Sequence, residues 1–318
     1  MLRRHLAGLA LATLALPASA QGDKITRLVI GFPAGQATDV IARLLADGLK
    51  GELGETVIVD NKPGQGGSIA LGQVARAAPD GTTMILAPLA SLVINPHLYK
   101  NVAYNTFASF APVARVCDLP LVLVVHPSLP VKTLPELIAY AKANPDKLSH
   151  PSAGNGTLSH VVMEDFKARA GIRILHVPYQ GSPPAMNDLV AGNVQVAMDT
   201  VTVTKPLIDS GKLRLIAAGT LQRLPAFPDT PTIAEQGFPG LEAVAWLGVL
   251  FPAQTPDKRV KRLSDAVVKV VNDAAMQEKF KAVGTLPRTM PTAEFAAYLR
   301  SEDQRWSKVI ASSGIKTD

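Results

Sequence analysis

The sequence predicts a two-lobed α/β fold, each lobe a mostly parallel sheet flanked by helices, with two strands crossing between the lobes. Three observations predict it. Short β-branched runs alternate with amphipathic stretches, the alternation occurs twice along the chain, and no low-complexity linker separates the two runs. At 318 residues and 47% apolar content, the chain can divide its core between two lobes.

Ahead of the first run, Arg3, Arg4 and His5 precede an apolar stretch from Leu6 to Leu16, and Pro17-Ala18-Ser19-Ala20 follows. A charged start, a short apolar core and an A-x-A exit form a cleavable signal peptide over residues 1–20, with Gln21 the first mature residue and the periplasm the destination. The apolar stretch falls well short of the roughly 20 residues a spanning helix needs. No cysteine stands at the cut, so the signal is not that of a lipoprotein.

In the first run, Thr26 to Gly31 reads as a strand. Asp39 to Lys50 reads as a helix with apolar Val40, Ile41, Leu44, Leu45 and Leu49, and Thr56 to Val59 as a second strand. The glycine-rich turn from Asn61 to Gly67 leads into a helix through Ala78, a Pro79-Asp80-Gly81 turn and a strand at Thr83 to Leu86. In the second run, Leu121 to Val125 is an apolar strand, Leu134 to Ala143 a helix and Lys147 to His150 a short strand. Ser159 to Ala170 is a helix ended by Gly171, followed by strands at Ile172 to Val177, Val194 to Met198 and Leu213 to Ala217. Glu242 to Phe251 is a further strand, and helices fill Asp257 to Ile310. Crossings near 118–124 and 244–251 divide the mature chain into one domain of residues 21–121 with 246–318 and another of residues 122–245.

Cys117 is the only cysteine, so an internal disulfide is excluded, and a buried small hydrophobe is its expected role. The net charge of +6 comes from scattered Lys and Arg. The densest group, Lys258-Arg259 with Lys261-Arg262, sits beside Asp257 and Asp265 and reads as a solvated helix face; a nucleic-acid partner is not expected.

Two strand-to-helix loops are rich in small residues: Phe32-Pro33-Ala34-Gly35-Gln36-Ala37-Thr38-Asp39, and Ser152-Ala153-Gly154-Asn155-Gly156-Thr157-Leu158-Ser159-His160. Ligands of open α/β sheets collect at the carboxyl ends of strands, and a helix N-terminus suits an anion. Neither loop contains Lys or Arg, so an anion would be held by backbone N–H groups, the hydroxyls of Thr38, Thr157 and Ser159, and the amides of Gln36 and Asn155. Each loop alone is equally a turn with an N-cap; the pairing of two, one per lobe, points to binding. In the segment His176 to Ala185, Tyr179 could stack on a ligand or pack under the turn, and Asp199 ends a strand where cleft residues sit.

Catalytic signatures are missing. The sequence has no G-x-S-x-G, no H-E-x-x-H and no G-x-x-x-x-G-K-[ST], and His97, His126, His150, His160 and His176 lack ligand spacing. Ser159 and His160 are adjacent on a helix and do not face each other. The reading is a binder without catalytic residues, metal or cofactor; a periplasmic hydrolase and a sensor subunit on a membrane signalling protein are the alternatives.

Several segments together resemble the Bug receptors, the extracytoplasmic solute-binding proteins of tripartite tricarboxylate transporters. They are P-x-G-x-x-T-D-x-x-A-R at Pro33 to Arg43, N-K-P-G-x-G-G at Asn61 to Gly67, and Ile94-Asn95-Pro96 with Leu98-Tyr99. Ser152 to His160, V-P-Y-x-G at Val177 to Gly181, and Trp246 to Pro256 complete the set, which extends over residues 26 to 311. The resemblance implies a Venus-flytrap fold whose loops at 32–39 and 152–160 grip a ligand carboxylate. It implies that Ser91, Tyr179 and Asp199 also line the cleft, and that a monomeric receptor delivers its small carboxylate to a two-component membrane permease. The sequence departs from that pattern at Gln36, where the family generally has glycine, and at Leu247, where an aromatic is common.

Overall fold

The computed structural model describes residues 25–313 and Ile315; the signal-peptide reading of residues 1–20 lies outside them. The first run folds as β1 (Ile25–Ile30), α1 (Ala37–Leu53), β2 (Thr56–Asn61), α2 (Ser68–Val74) and β3 (Thr83–Pro88). Strand β1 lies between β2 and β3, parallel to both. One face of α1 is apolar at helical spacing, and its Ile41, Leu45 and Leu49 are fully buried. Burial of each contributes about 1.5–3 kcal/mol. Helix α2 stops before Ala78 because Pro79 disfavours helical backbone at the residue before it, and the chain tightens there through Arg76 N–H to Gln73 O and Ala77 N–H to Val74 O.

A turn of π-helix (Ala90–Ile94) and the short α3 (Asn95–Leu98) lead to β4 (Phe110–Val125), sixteen residues long. The sequence reading marked only its end, Leu121 to Val125, because Pro112, Arg115 and Asp118 interrupt the apolar pattern. Arg115 and Asp118 pair with each other inside the fold, which lets both charges lie in a buried strand. The second run follows as α4 (Leu134–Ala143), β5 (Ser149–Ser152), α5 (Leu158–Ala170), β6 (Leu175–Pro178), α6 (Ser182–Val190), β7 (Val196–Thr200), α7 (Val201–Asp209) and β8 (Arg214–Ala218). Gly171 caps α5 in the left-handed conformation, as expected.

Strand β9 (Val244–Pro252) returns the chain along β4 and β3, antiparallel to both. The tail holds α8 (Asp257–Asn272), α9 (Ala274–Ala282) and α10 (Thr292–Ser313), with β10 (Leu286–Met290) between the last two. Helices alone were expected there; β10 instead occupies the edge of β4 at Arg115 to Asp118.

The main sheet runs β10-β4-β9-β3-β1-β2, and the far end of β4 carries β7 and β8. Parallel pairing holds within β1, β2 and β3 and between β5 and β6, while the crossing strands bring antiparallel pairs. Of the four basic residues read as a solvated helix face, Lys258, Lys261 and Arg262 are exposed and Arg259 is the exception. Its side chain is buried, and its guanidinium grips the equally buried Glu55 with contacts of 2.9 and 2.7 Å. Cys117 is fully buried, which pushes its thiol pKa up.

Candidate functional site

The carboxyl end of β1 runs into the first loop, and that of β5 into the second. The two loops meet across a cleft with two compartments. An outer mouth of ≈ 330 Å³ is lined by Phe32, Pro33, Gly64 to Gly66, Tyr99, Gly154, Asn155, Tyr179 and Gly181, among others. Beneath it lies a chamber of ≈ 50 Å³ whose lining includes Gln36, Ala37 and Thr38 from the first loop, Thr157 to Ser159 from the second, and Ser182 and Asp199. A water needs roughly 10–15 Å³ on the same measure, so the chamber holds a few waters or one small polar group. The N-terminal turns of α1 and α5 therefore open on one space, where their first N–H groups lack intrahelical partners.

Among the described residues, no Lys, Arg or His lines either compartment. Asp199 is, among the described residues, the one ionisable side chain lining the chamber. Its carboxylate accepts from Ser182 Oγ at 2.7 Å and from Thr200 N at 2.6 Å. Burial outweighs these bonds and raises its pKa to about 6.

Several predicted residues lie outside the cavity lining and act as supports. Asp39 accepts from Gly35 N, from the Arg43 guanidinium and from Asn61 Nδ2 at 2.8–3.0 Å. Burial pushes its carboxyl up, but these donors and the Arg43 charge outweigh it and leave the pKa lowered. Ser91 Oγ donates to Gly66 O at 2.6 Å and Ser152 Oγ bonds His176 Nε2 at 2.7 Å, so both hydroxyls tie the scaffold. Gly156 is turned so that its N–H meets His160 Nδ1 at 3.3 Å. Ala34 faces solvent. The Thr157 hydroxyl donates back to Gly154 O at 2.6 Å, and Tyr179 Oη donates to Asp188 at 2.5 Å while its ring lines the mouth.

The structure also adds residues that the sequence reading left out. The turn from Gly64 to Gly67 comes close because Gly31 and Gly67 lack side chains; a Cβ on Gly31 would lie 2.5 Å from Gly67 Cα. Its signal is the glycine run after β2, which the sequence offers as a turn and as one of the segments of the family resemblance, without a place in the cleft. Tyr99 donates from Oη to Asn155 O at 2.7 Å across the mouth, and Ser182 N–H donates to Gln36 Oε1 on the opposite side of the cleft.

Three histidines that appeared scattered are gathered by the fold. His176 stacks on His160 at 4.2 Å and on His150 at 4.9 Å between ring centroids. With Glu164, His160 and His176 bring possible ligand atoms within 4.8 Å of one another. The two rings lie 15° from parallel, so their in-plane lone pairs do not converge on a common ion, and Lys167 Nζ holds the Glu164 carboxylate at 2.6 Å. Burial and neighbouring positive groups lower the pKa of His160 to about 4 and of His176 to about 3. Ser152 beside His176 has the spacing of a nucleophile and base, but neither lines the cavity and so basic-poor an imidazole is a weak base at neutral pH. Ser159 and His160 do not pair: Ser159 Oγ accepts from Ala153 N and His160 Nδ1 from Gly156 N.

A two-lobed α/β fold with a cleft between helix N-termini, free of basic side chains among the described residues, defines the class of solute-binding proteins, and solved structures agree. The chain is similar to a protein of R. palustris solved with adipate, at 33% identity and a TM-score of 0.89 over 92% of this chain and 98% of that one. It is similar to the periplasmic binding protein BugD, at 35% identity and a TM-score of 0.88 over 92% and 98%. It is also similar to MatC of Rhodopseudomonas palustris with bound malate, at 30% identity and a TM-score of 0.85 over 90% and 98%. Residues 41–315 match the model of the tripartite tricarboxylate transporter family receptor, and the chain belongs to that family.

Proposed function

We propose that this protein captures a small organic carboxylate between its lobes, in the periplasm, and delivers it to a two-component membrane permease. The observation that carries this reading is a chamber lined by the first turns of both α1 and α5, with no basic side chain among the described residues that line it. Paired helix N-termini stabilise an anion without a counter-charge, and neutral hydrogen-bonded capture allows release. The adipate and malate bound to the two R. palustris proteins support a carboxylate as the ligand class.

In this reading Gln36, Ala37, Thr38, Thr157 and Asp199 border the ligand, Phe32, Asn155 and Tyr179 border its path, and Asp39, Ser91, Ser152, Gly156 and His160 hold the loops in place. The lobes are residues 21–121 with 246–318, and residues 122–245. The protein acts as a monomer and performs no chemistry on its ligand. Among the described residues no helix is long and apolar enough to cross a membrane.

The test is a thermal-shift panel of mono-, di- and tricarboxylates, amino acids and aromatic acids on purified mature protein, with each mixture checked for product. Ligand at 100 times its Kd stabilises by about 2.7 kcal/mol. A shift without turnover is expected. Turnover, or no shift from any carboxylate, refutes the proposal.

A further inference from the structure

Gln36 follows the exposed Ala34 and Gly35 in the first loop, yet it is only 8% exposed. Its Oε1 accepts the backbone N–H of Ser182 at 3.0 Å, from the first residue of α6 on the opposite side of the cleft. The fit is close. A Cβ on Gly181 would lie 2.8 Å from Gln36 Oε1 and 2.5 Å from Pro33 Cγ, so this side chain occupies the space that a glycine leaves open.

The sequence of α6 makes that hydrogen bond consequential. The helix begins Ser182-Pro183-Pro184, and proline has no N–H, so among its first three residues only Ser182 offers a backbone donor. Gln36 accepts that donor. The Ser182 hydroxyl is also committed, to Asp199 Oδ2 at 2.7 Å. A helix N-terminus that would otherwise receive an anion thus has its one early amide satisfied by a neutral oxygen, with a buried carboxyl group beside it.

We propose that Gln36 is a specificity-determining residue: by occupying the Ser182 amide it removes the place where a second carboxylate of the ligand would bind, and so biases the site toward ligands with a single carboxylate. The inference rests on the carboxylate-binding reading and adds the charge class of the ligand. The carboxylate is held between α1 and α5, and the end of the ligand that faces α6 and Asp199 is neutral or carries a hydrogen-bond donor.

The experiment is calorimetric titration of the mature protein, Gln36→Gly and Gln36→Glu with butyrate, 4-hydroxybutyrate, succinate, hexanoate and adipate, with folding of each variant checked by its thermal melt. The wild type is expected to bind the monocarboxylates more tightly than the diacids of equal length. In Gln36→Gly the ratio of the two affinities shifts toward the diacids by about tenfold, as expected when a buried donor becomes available. Gln36→Glu keeps an acceptor oxygen on Ser182 and adds a negative charge beside it, so its ratio is expected to move further toward the monocarboxylates; a shift toward the diacids overturns the assignment even if the glycine variant does not fold. Equal ratios in wild type and Gln36→Gly, or a wild type that favours the diacids, overturn the assignment while leaving carboxylate binding intact. If none of the acids in the broader panel binds, the functional reading falls and this inference with it.

Discussion

His160 and His176 lie face to face, their rings 4.2 Å apart and 15° from parallel, directly behind the second cleft loop. His160 is buried and His176 half-buried, and His160 uses its unprotonated Nδ1 to accept the Gly156 N–H. A histidine whose folded pKa is lowered contributes stability above its unfolded pKa, near 6.5, and loses it as pH falls through the folded value. For His160 that window runs from 6.5 down to about 4. His160→Asn keeps an acceptor for Gly156 and removes the titration. Its thermal midpoint is expected to fall less steeply than that of the wild type between pH 6.5 and 4, a difference on the order of 2 kcal/mol at the acid end.

Asp199 works in the opposite direction. Its pKa is raised to about 6, so its contribution is fully present below the unfolded value near 3.8 and is lost as pH rises through 6. Asp199→Asn stays neutral, its Oδ1 accepting from Thr200 N–H and its Nδ2 donating to Ser182 Oγ, whose hydroxyl can turn to accept. At pH 7 the variant should be more stable than the wild type by on the order of 2 kcal/mol, and at pH 4 the two should converge. Denaturant melts at the two pH values check this.

Arg259 and Glu55 are both buried, and Thr26 Oγ1 adds a 2.8 Å hydrogen bond to the same carboxylate. Removing one partner strands the other charge, so Arg259→Ala is expected to cost about 3–5 kcal/mol. The pair Glu55→Gln with Arg259→Met should cost less than the two single changes added together. Urea unfolding of all four proteins measures the coupling.

Asp39→Ala releases Gly35, Arg43 and Asn61 at once. The first loop loses its internal anchor, and both stability and carboxylate affinity should fall by about 1–3 kcal/mol. Thr38→Val leaves that anchor in place and is expected to weaken the ligand with little change in the melt. The contrast between melts and calorimetry separates support from contact.

Much of this was legible from periodicity. The apolar spacing of Ile41, Leu45 and Leu49 announced α1, and the two glycine-containing loops after β1 and β5 announced the cleft. What stayed hidden were relationships made by the fold alone. Arg259 looked solvated because Glu55, its partner, is 204 positions away. The three stacked histidines have no regular spacing because they come from two strands and a helix. Tyr99 and Ser182 reach the site through contacts across the cleft, which no local pattern encodes. Strand β10 was missed because Pro287 and Arg288 conceal a short edge whose reason for existing is the neighbouring face of β4.

Strand β4 pairs along Phe110 to Pro120 with β9, and along Leu121 to Val125 with β7 and β8. One unbroken backbone is thus a structural member of both halves of the molecule. Neither half is a portable module: a fragment ending at Pro120 would lack the strand that organises the other half, and a fragment beginning at Leu121 would strip β9 of its partner. Loss of one half should therefore carry the other with it, so that heat or denaturant produces one transition despite the two-lobed shape.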